Sequence, residues 1–268
     1  MRFEGYLTEC GIIAAQQARR MKHVELMSEL VYAASIESVG NKKRVLDTAM
    51  QQDALKGLRL RKAESATTTA LNRLRKMFPD LGPSTRFRRI TDFYSIAVLI
   101  QDFERSGLIL DDRILNRRAW DLLVAFGIGV DDLSQRAKKL DFRAVTPAEE
   151  VYFHYLQAVK EGGDSEVNRK KRHEILKAIL EPLFGKKDAQ RCFSPEQRRI
   201  LWNSSDSRTC RHPGCNRELS WEDFHADHIN PWSKGGKTIL DNAAILCAEH
   251  NVKLGAKTKA ALKGRTKK

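Results

Sequence analysis

At 268 residues, with 41% hydrophobic and 31% charged side chains, the chain is long and apolar enough for one large domain or two ordinary ones with a real core. Its net charge of +14 and pI near 9.7 favour a polyanionic partner, leaving nucleic acid and an anionic membrane surface both open. No run approaches the length of a membrane span, the start MRFEGYLTECG does not read as a signal peptide, and the isolated Cys10 and Cys192 predict reduced thiols in a cytoplasmic protein.

Taken in order, residues 1–190 read as a helical domain. Val24, Met27, Leu30 and Val31 recur at helical spacing, and Gly40-Asn41 stops that helix. A polar helix around Val45, Leu46 and Leu55 follows. Ser65 then precedes Leu71, Leu74, Met77 and Phe78, and Pro79 and Pro83 bracket a break. Thr91 is placed to cap an apolar helix through Phe93, Ile96, Leu99, Ile100 and Phe103 that ends at Ser106-Gly107. Residues 111–126 predict another helix around Ile114, Leu115, Trp120 and Leu123. Thr146-Pro147-Ala148-Glu149 is a capping box with proline in the first turn, opening a helix through Tyr152, Tyr155 and Val159 that closes at Gly162-Gly163.

Basic clusters recur at residues 42–44, 59–62, 86–89 and 169–172. A charge run is most often a solvated face, but so many in a basic chain suggest that some contact phosphate. After Glu249 the chain has no acidic residue, and Lys253, Lys257 and Lys259 are the first cations of a tail suited to tracking a DNA backbone.

A second capping box, Ser194-Pro195-Glu196-Gln197, opens a short helix into the richest stretch of the sequence, and residues 191–268 read as a separate small domain. Cys210 and Cys215 bracket the turn CRHPGC, and Cys247 and His250 follow as C-x2-H. Two close pairs of soft ligands are what a tetrahedral zinc site needs, since each turn or helix end supplies two. Between them, Trp221 to Ile229 predicts a strand in which Phe224 and Ala226 alternate against His225 and Asp227. Pro231 ends the strand and Gly235-Gly236 turns the chain. Asp241 or Asn242 is then placed to cap a helix running through Ala243, Leu246 and His250.

The ordered set DHINPW, GG, T, LDN, LC and HN resembles the HNH, or ββα-metal, endonuclease superfamily over roughly residues 195–260. The resemblance implies a small zinc-stabilised ββα-metal domain, which with the mostly helical N-terminal domain read from periodicity makes an α+β chain. It further implies that His228 is the general base, that Asp227 binds a catalytic Mg2+ or Mn2+ ion, and that Asn242 holds the loop beneath the base. Many relatives end in LC..CH. Laid on LCAEHN, His250 takes the cysteine's place at zinc with Cys210, Cys215 and Cys247, and Asn251 takes the histidine's place at the catalytic ion. Products with 5′-phosphate and 3′-hydroxyl ends are implied by the family. His225 shares a strand face with Asp227 and is read equally as a metal or phosphate contact and as a solvent-facing side chain.

The N-terminal region faintly resembles the helical part of modification-dependent restriction and phage-defence nucleases, which implies a setting in bacterial defence. Two functions are therefore in view. One is an endonuclease acting on double-stranded DNA, with a helical domain that positions DNA or a partner protein. The other is a non-catalytic, zinc-dependent DNA-binding module of a larger assembly. Neither requires a membrane.

Overall fold

A computed structural model of the chain describes residues 3–41, 47, 56–78, 85–110, 113–136, 145–205 and 207–253. The expected polar helix around Val45, Leu46 and Leu55, the break at Pro79 and Pro83, and the tail lysines Lys257 and Lys259 lie outside the described residues. The chain divides into two units, Met1–Ser106 with Asp112–Phe184, and Gly107–Asp111 with Gly185–Lys268. It is mostly helical, with its small sheets confined to the second unit. Among the described residues no helix is long and apolar enough to cross a membrane.

The first unit consists of α1 (Glu4–Glu9), α2 (Ala15–Arg19), α3 (Lys22–Ile36), α4 (Gly57–Met77) and α5 (Ile90–Arg105), then α6 (Arg113–Arg136), α7 (Glu150–Lys160) and α8 (Glu166–Leu180), with β1 (Leu108–Ile109) belonging to the other unit. Helix α5 is the centre of the core because it is apolar on nearly every side: Phe93, Ile96, Ala97, Leu99, Ile100 and Phe103 are all buried. It begins one residue before Thr91, which therefore sits inside the first turn and is not the cap. The N-cap position is Arg89, which makes no side-chain cap bond; Thr85 caps the preceding 3-10 turn Arg86–Arg88, accepting from the Phe87 N–H. Helix α4 starts eight residues before Ser65, and α6 runs on past Phe126 through Gly127 and Gly129. Glycine is required at the second of these, since a Cβ there would lie 2.6 Å from the Tyr152 ring. The capping box at Thr146 and Glu149 is present as the sequence predicts, and Glu149 is held below the usual carboxylate range chiefly by the Thr146 N–H.

The cluster at residues 169–172 is split: Lys170 and Lys171 are exposed, but its two arginines are interior. Helix α8, which periodicity did not reveal, carries Arg169 and Arg172 inward, at 3% and 0% exposure. Arg172 donates through Nε to Ser95 Oγ at 3.0 Å and through Nη1 to the Ala158 carbonyl at 2.6 Å. Arg86, from the cluster at 86–89, is buried against Asp92 at 3.3 Å and also pairs with Asp131. Tyr155 donates to the same Asp92 at 2.7 Å, and burial still pushes that carboxyl above its ordinary range. The reason is economy of polar groups: a helical core crossed by polar positions on α5 needs long side chains that can reach and satisfy them.

Arg169 makes the clearest pair, donating to Glu29 Oε2 at 2.6 Å and to the Gly40 carbonyl at 3.0 Å, with its guanidinium 4.0 Å from the Tyr94 ring centre. Both partners are 3% exposed. Removing one side of a buried pair strands the other charge, so Glu29→Ala is expected to cost about 3–5 kcal/mol. A lowered midpoint in urea unfolding of the helical unit is the measurement; an unchanged midpoint would show that Arg169 finds another partner.

The second unit opens with β2 (Gly185–Lys186), which pairs antiparallel with β1, setting Leu108 opposite Lys186 and Ile109 opposite Gly185. Helix α9 (Pro195–Asn203) starts at the second capping box: Ser194 Oγ accepts from the Gln197 N–H, and the Gln197 side chain returns to the Ser194 N–H. Next come β3 (Phe224–His228), β4 (Ala243–Cys247) and α10 (Ala248–Lys253).

Here the structure corrects the expected helix through Ala243. Residues 243–247 form a strand paired antiparallel with β3, and the helix begins only at Ala248. The run Ala-Ala-Ile-Leu-Cys is buried at all five positions. A short, uniformly apolar segment has no period, so it fits a fully buried strand as well as a buried helix. The β3–β4 pair packs with Phe193, Leu201, Trp202 and Leu219 into one small core.

Candidate active site

The unit has two separate constellations, one at each end of the β3–β4 ladder. The first is built from a hairpin and a helix start. Thr209 bridges Glu218, and the Cys210 N–H donates to the Arg217 carbonyl, closing a loop that Gly214, at a φ of 80°, allows to turn back. The Arg211 N–H donates to the Ile245 carbonyl and so lays this hairpin against β4. Cys210 and Cys215 from the hairpin thereby meet Cys247, the last residue of β4, and His250, in the first turn of α10.

The four ligand atoms lie within 4.8 Å of one another. His250 Nδ1 is 3.2 Å from Cys247 Sγ and 3.7 Å from Cys210 Sγ. A tetrahedral zinc with Zn–S of about 2.3 Å requires donor separations of about 3.8 Å, so the cluster fits that ion. Three thiols favour zinc over a hard cation. The Cys247 N–H donates to Cys210 Sγ at 3.4 Å, a contact that stabilises a thiolate. Burial raises the Cys210 thiol; Cys247 is desolvated too, but the His250 N–H and the neighbouring cysteines bring it below its ordinary value. His212, on the CRHPGC turn, is not among the four; its ring stacks on His250 at 4.0 Å.

The second constellation lies at the His228 end of β3. His228 is the last residue of the strand and is buried, with its ring 4.6 Å from that of Phe193. Its N–H donates to Asp227 Oδ1 at 2.7 Å, while its Nδ1 is 3.8 Å from that oxygen. Its Nε2 is 3.0 Å from Thr238 Oγ1.

The loop that follows is tied by Asn242. Its Oδ1 accepts from the Asn230 N–H at 2.7 Å, and its Nδ2 donates to the carbonyls of Asn230 (3.1 Å) and Lys237 (2.8 Å). One amide therefore fastens both ends of the loop. Gly235 has a φ of 80°, and a Cβ on Gly236 would collide with the Asn230 carbonyl oxygen, so the paired glycines are what lets the loop close over Asn242.

A groove of about 800 Å³ runs along β3 and takes in this end of the strand. Asp227, His228, the exposed His225 and Asn251 all line it. His225 shares the groove with Asp227 and with every other residue of β3. Lys253 closes α10, and Lys257 and Lys259 are beyond the described residues.

Among the lining residues to which the sequence assigned no role are Arg191, Arg198, Glu222 and Trp232. Arg198 lies on the first turn of α9, donates to the Phe224 carbonyl at 3.2 Å and sits 4.8 Å from the Phe224 ring centre. The Arg191 guanidinium and the Lys187 ammonium each lie 5.6 Å from the centre of the Trp232 ring. The available signal was the tryptophan of DHINPW and the arginines flanking the second capping box. Their meeting depends on tertiary packing, which spacing does not report.

Comparison with curated proteins and with solved structures finds no match. The family model described as HNH endonuclease matches residues 210–257, which span both constellations from Cys210 to beyond Asn251. The chain therefore carries an HNH endonuclease domain, and within it three cysteines and a histidine that could hold zinc.

Proposed function

We propose that this protein is a metal-dependent endonuclease of double-stranded DNA. The observation that supports the reading is one groove lined by two carboxylates (Asp227 and Glu222), two imidazoles, an amide and two arginines, in a chain whose residues 210–257 match the HNH endonuclease family model. His228 acts as the general base, taking a proton from the attacking water; a positioned base of this kind typically contributes a factor of 100 to 10,000. Asp227 and Asn251 hold the catalytic cation, with His225 beside them. When bound, a Mg2+ or Mn2+ ion supplies charge neutralisation at the scissile phosphate and at the leaving 3′-oxygen. Arg191 and Arg198 bind the phosphates that flank the cut. Asn242 keeps the loop seated so that the end of β3 is presented at a fixed angle. Lys253, Lys257 and Lys259 extend the backbone contact along the tail.

In the metal centre at the other end, Cys210, Cys215, Cys247 and His250 hold a structural zinc ion, whose binding energy contributes to folding so small a domain. The helical unit positions DNA or a partner protein. A defence setting rests on the N-terminal resemblance and is tested by comparing cleavage of modified and unmodified phage DNA.

The alternative of a non-catalytic DNA-binding module differs in one outcome. The purified chain, incubated with supercoiled plasmid and Mg2+ or Mn2+, is expected to produce nicked or linear DNA. Excess chelator should stop the reaction, and cation added back should restore it. Binding with no strand cleavage under any divalent cation would establish the module and overturn the nuclease.

A further inference from the structure

Residues that precede the matched segment grip one side chain inside it. Thr238 is 3% exposed and is held at three points. Its N–H donates to Asp188 Oδ2 at 2.7 Å, its carbonyl accepts from Gln197 Nε2 at 2.8 Å, and its hydroxyl donates to the Gln190 carbonyl. Asp188 is itself fixed, because its Oδ1 accepts from the Gln190 N–H at 3.0 Å. These two backbone N–H groups, Thr238 first, hold the Asp188 carboxyl below its ordinary range, so it stays an acceptor. Trp232 Nε1 adds a bond to the Asp188 carbonyl at 2.7 Å, tying the same segment to the groove.

The fourth contact of Thr238 is the imidazole of His228. A carbonyl oxygen only accepts, so the Thr238 proton is spent on Gln190. Were that proton turned toward His228 instead, two oxygens would face each other with no hydrogen between them. Thr238 Oγ1 must then accept, and the proton it accepts is on His228 Nε2.

We infer that Thr238 is a positioning residue which, clamped by Asp188, Gln190 and Gln197, fixes His228 in the tautomer with Nε2 protonated and the lone pair on Nδ1. This rests on the reading of His228 as the base, and it assigns Nδ1 as the atom that takes the proton from water. The clamp comes from residues 188–197, so the working unit of the site begins before the matched segment. Neither Asp188 nor Gln190 touches the substrate; both act through Thr238.

The test uses the full chain with histidine labelled by 15N. At a pH where the imidazole is neutral, the parent should show His228 Nε2 as the protonated nitrogen and Nδ1 as the bare one. Thr238→Val keeps the shape, removes the hydroxyl and should yield a mixture of tautomers. Its turnover on duplex DNA should fall roughly tenfold to a hundredfold, as for other lost orienting partners of a site residue. KM should stay within about twofold, because substrate binding is untouched. Thr238→Ser restores the hydroxyl and should recover both the single tautomer and most of the rate, which a mere packing role would not do. Asp188→Ala should move in the direction of Thr238→Val. A parent His228 protonated on Nδ1, a Thr238→Val variant at the parent rate, or a Thr238→Ser variant as slow as valine would each overturn the inference. A parent that cleaves nothing would overturn the nuclease reading instead, and the ring-nitrogen spectra would still decide the tautomer lock on their own.

Discussion

Cys210→Ala is expected to abolish zinc binding and unfold the C-terminal unit, with loss of cleavage as a consequence. The small core of this unit is built around Phe224, Trp202 and the β3–β4 pair, and two of the four ligands, Cys210 and Cys247, are themselves part of it. The ligand set joins the hairpin to the start of α10. Zinc in comparable small domains binds with an apparent free energy of about 10–16 kcal/mol, and that energy is folding energy when no site exists in the unfolded chain. His250→Ala should therefore behave like Cys210→Ala. Asn251→Ala, one residue on, should retain one zinc and a parent-like melt yet lose activity, because its amide lines the groove and is not among the four cluster ligands. Elemental analysis beside thermal melts of the three variants separates the two roles. Zinc and stability retained in His250→Ala, with cleavage lost, would reverse the assignment of these adjacent residues.

The contrast also shows what the sequence could carry. Ligand pairs at C-x4-C and C-x2-H announce a metal centre because the spacing is itself the geometry: each pair sits on one turn. Capping boxes at Thr146 and Ser194 were equally legible, since cap and partner are three residues apart. Strand β4 was not, because five consecutive buried residues carry no period. Nor were the buried arginines. Arg86, Arg169 and Arg172 look like surface charge in a basic chain, and only the fold brings Asp92, Glu29 and Ser95 to meet them. The pairing of residues 108–109 with 185–186 is invisible for a related reason: two-residue strands have too little pattern to predict. At the candidate site, Asp227, His228, Asn242 and Asn251 stand in one recognisable order. Asp188 and Thr238, fifty residues apart with α9, the cysteine hairpin and β3 between them, become partners only in three dimensions.

The claim on which the functional reading depends is that His228 is the base, and its removal should have the largest effect on rate. His228→Ala deletes the imidazole at the end of β3 and leaves the ladder hydrogen bonds, the zinc ligands and the groove arginines in place. Folding, zinc content and DNA affinity should therefore stay close to those of the parent. Turnover should fall on the order of a hundredfold to ten-thousandfold. The deciding measurement is single-turnover cleavage of an end-labelled duplex in Mg2+ by parent and His228→Ala, compared at equal zinc content and saturating protein. A parent that cuts and a variant that binds the duplex but cuts at least a hundredfold more slowly is the predicted result; equal rates for the two would contradict it and remove His228 from the chemistry.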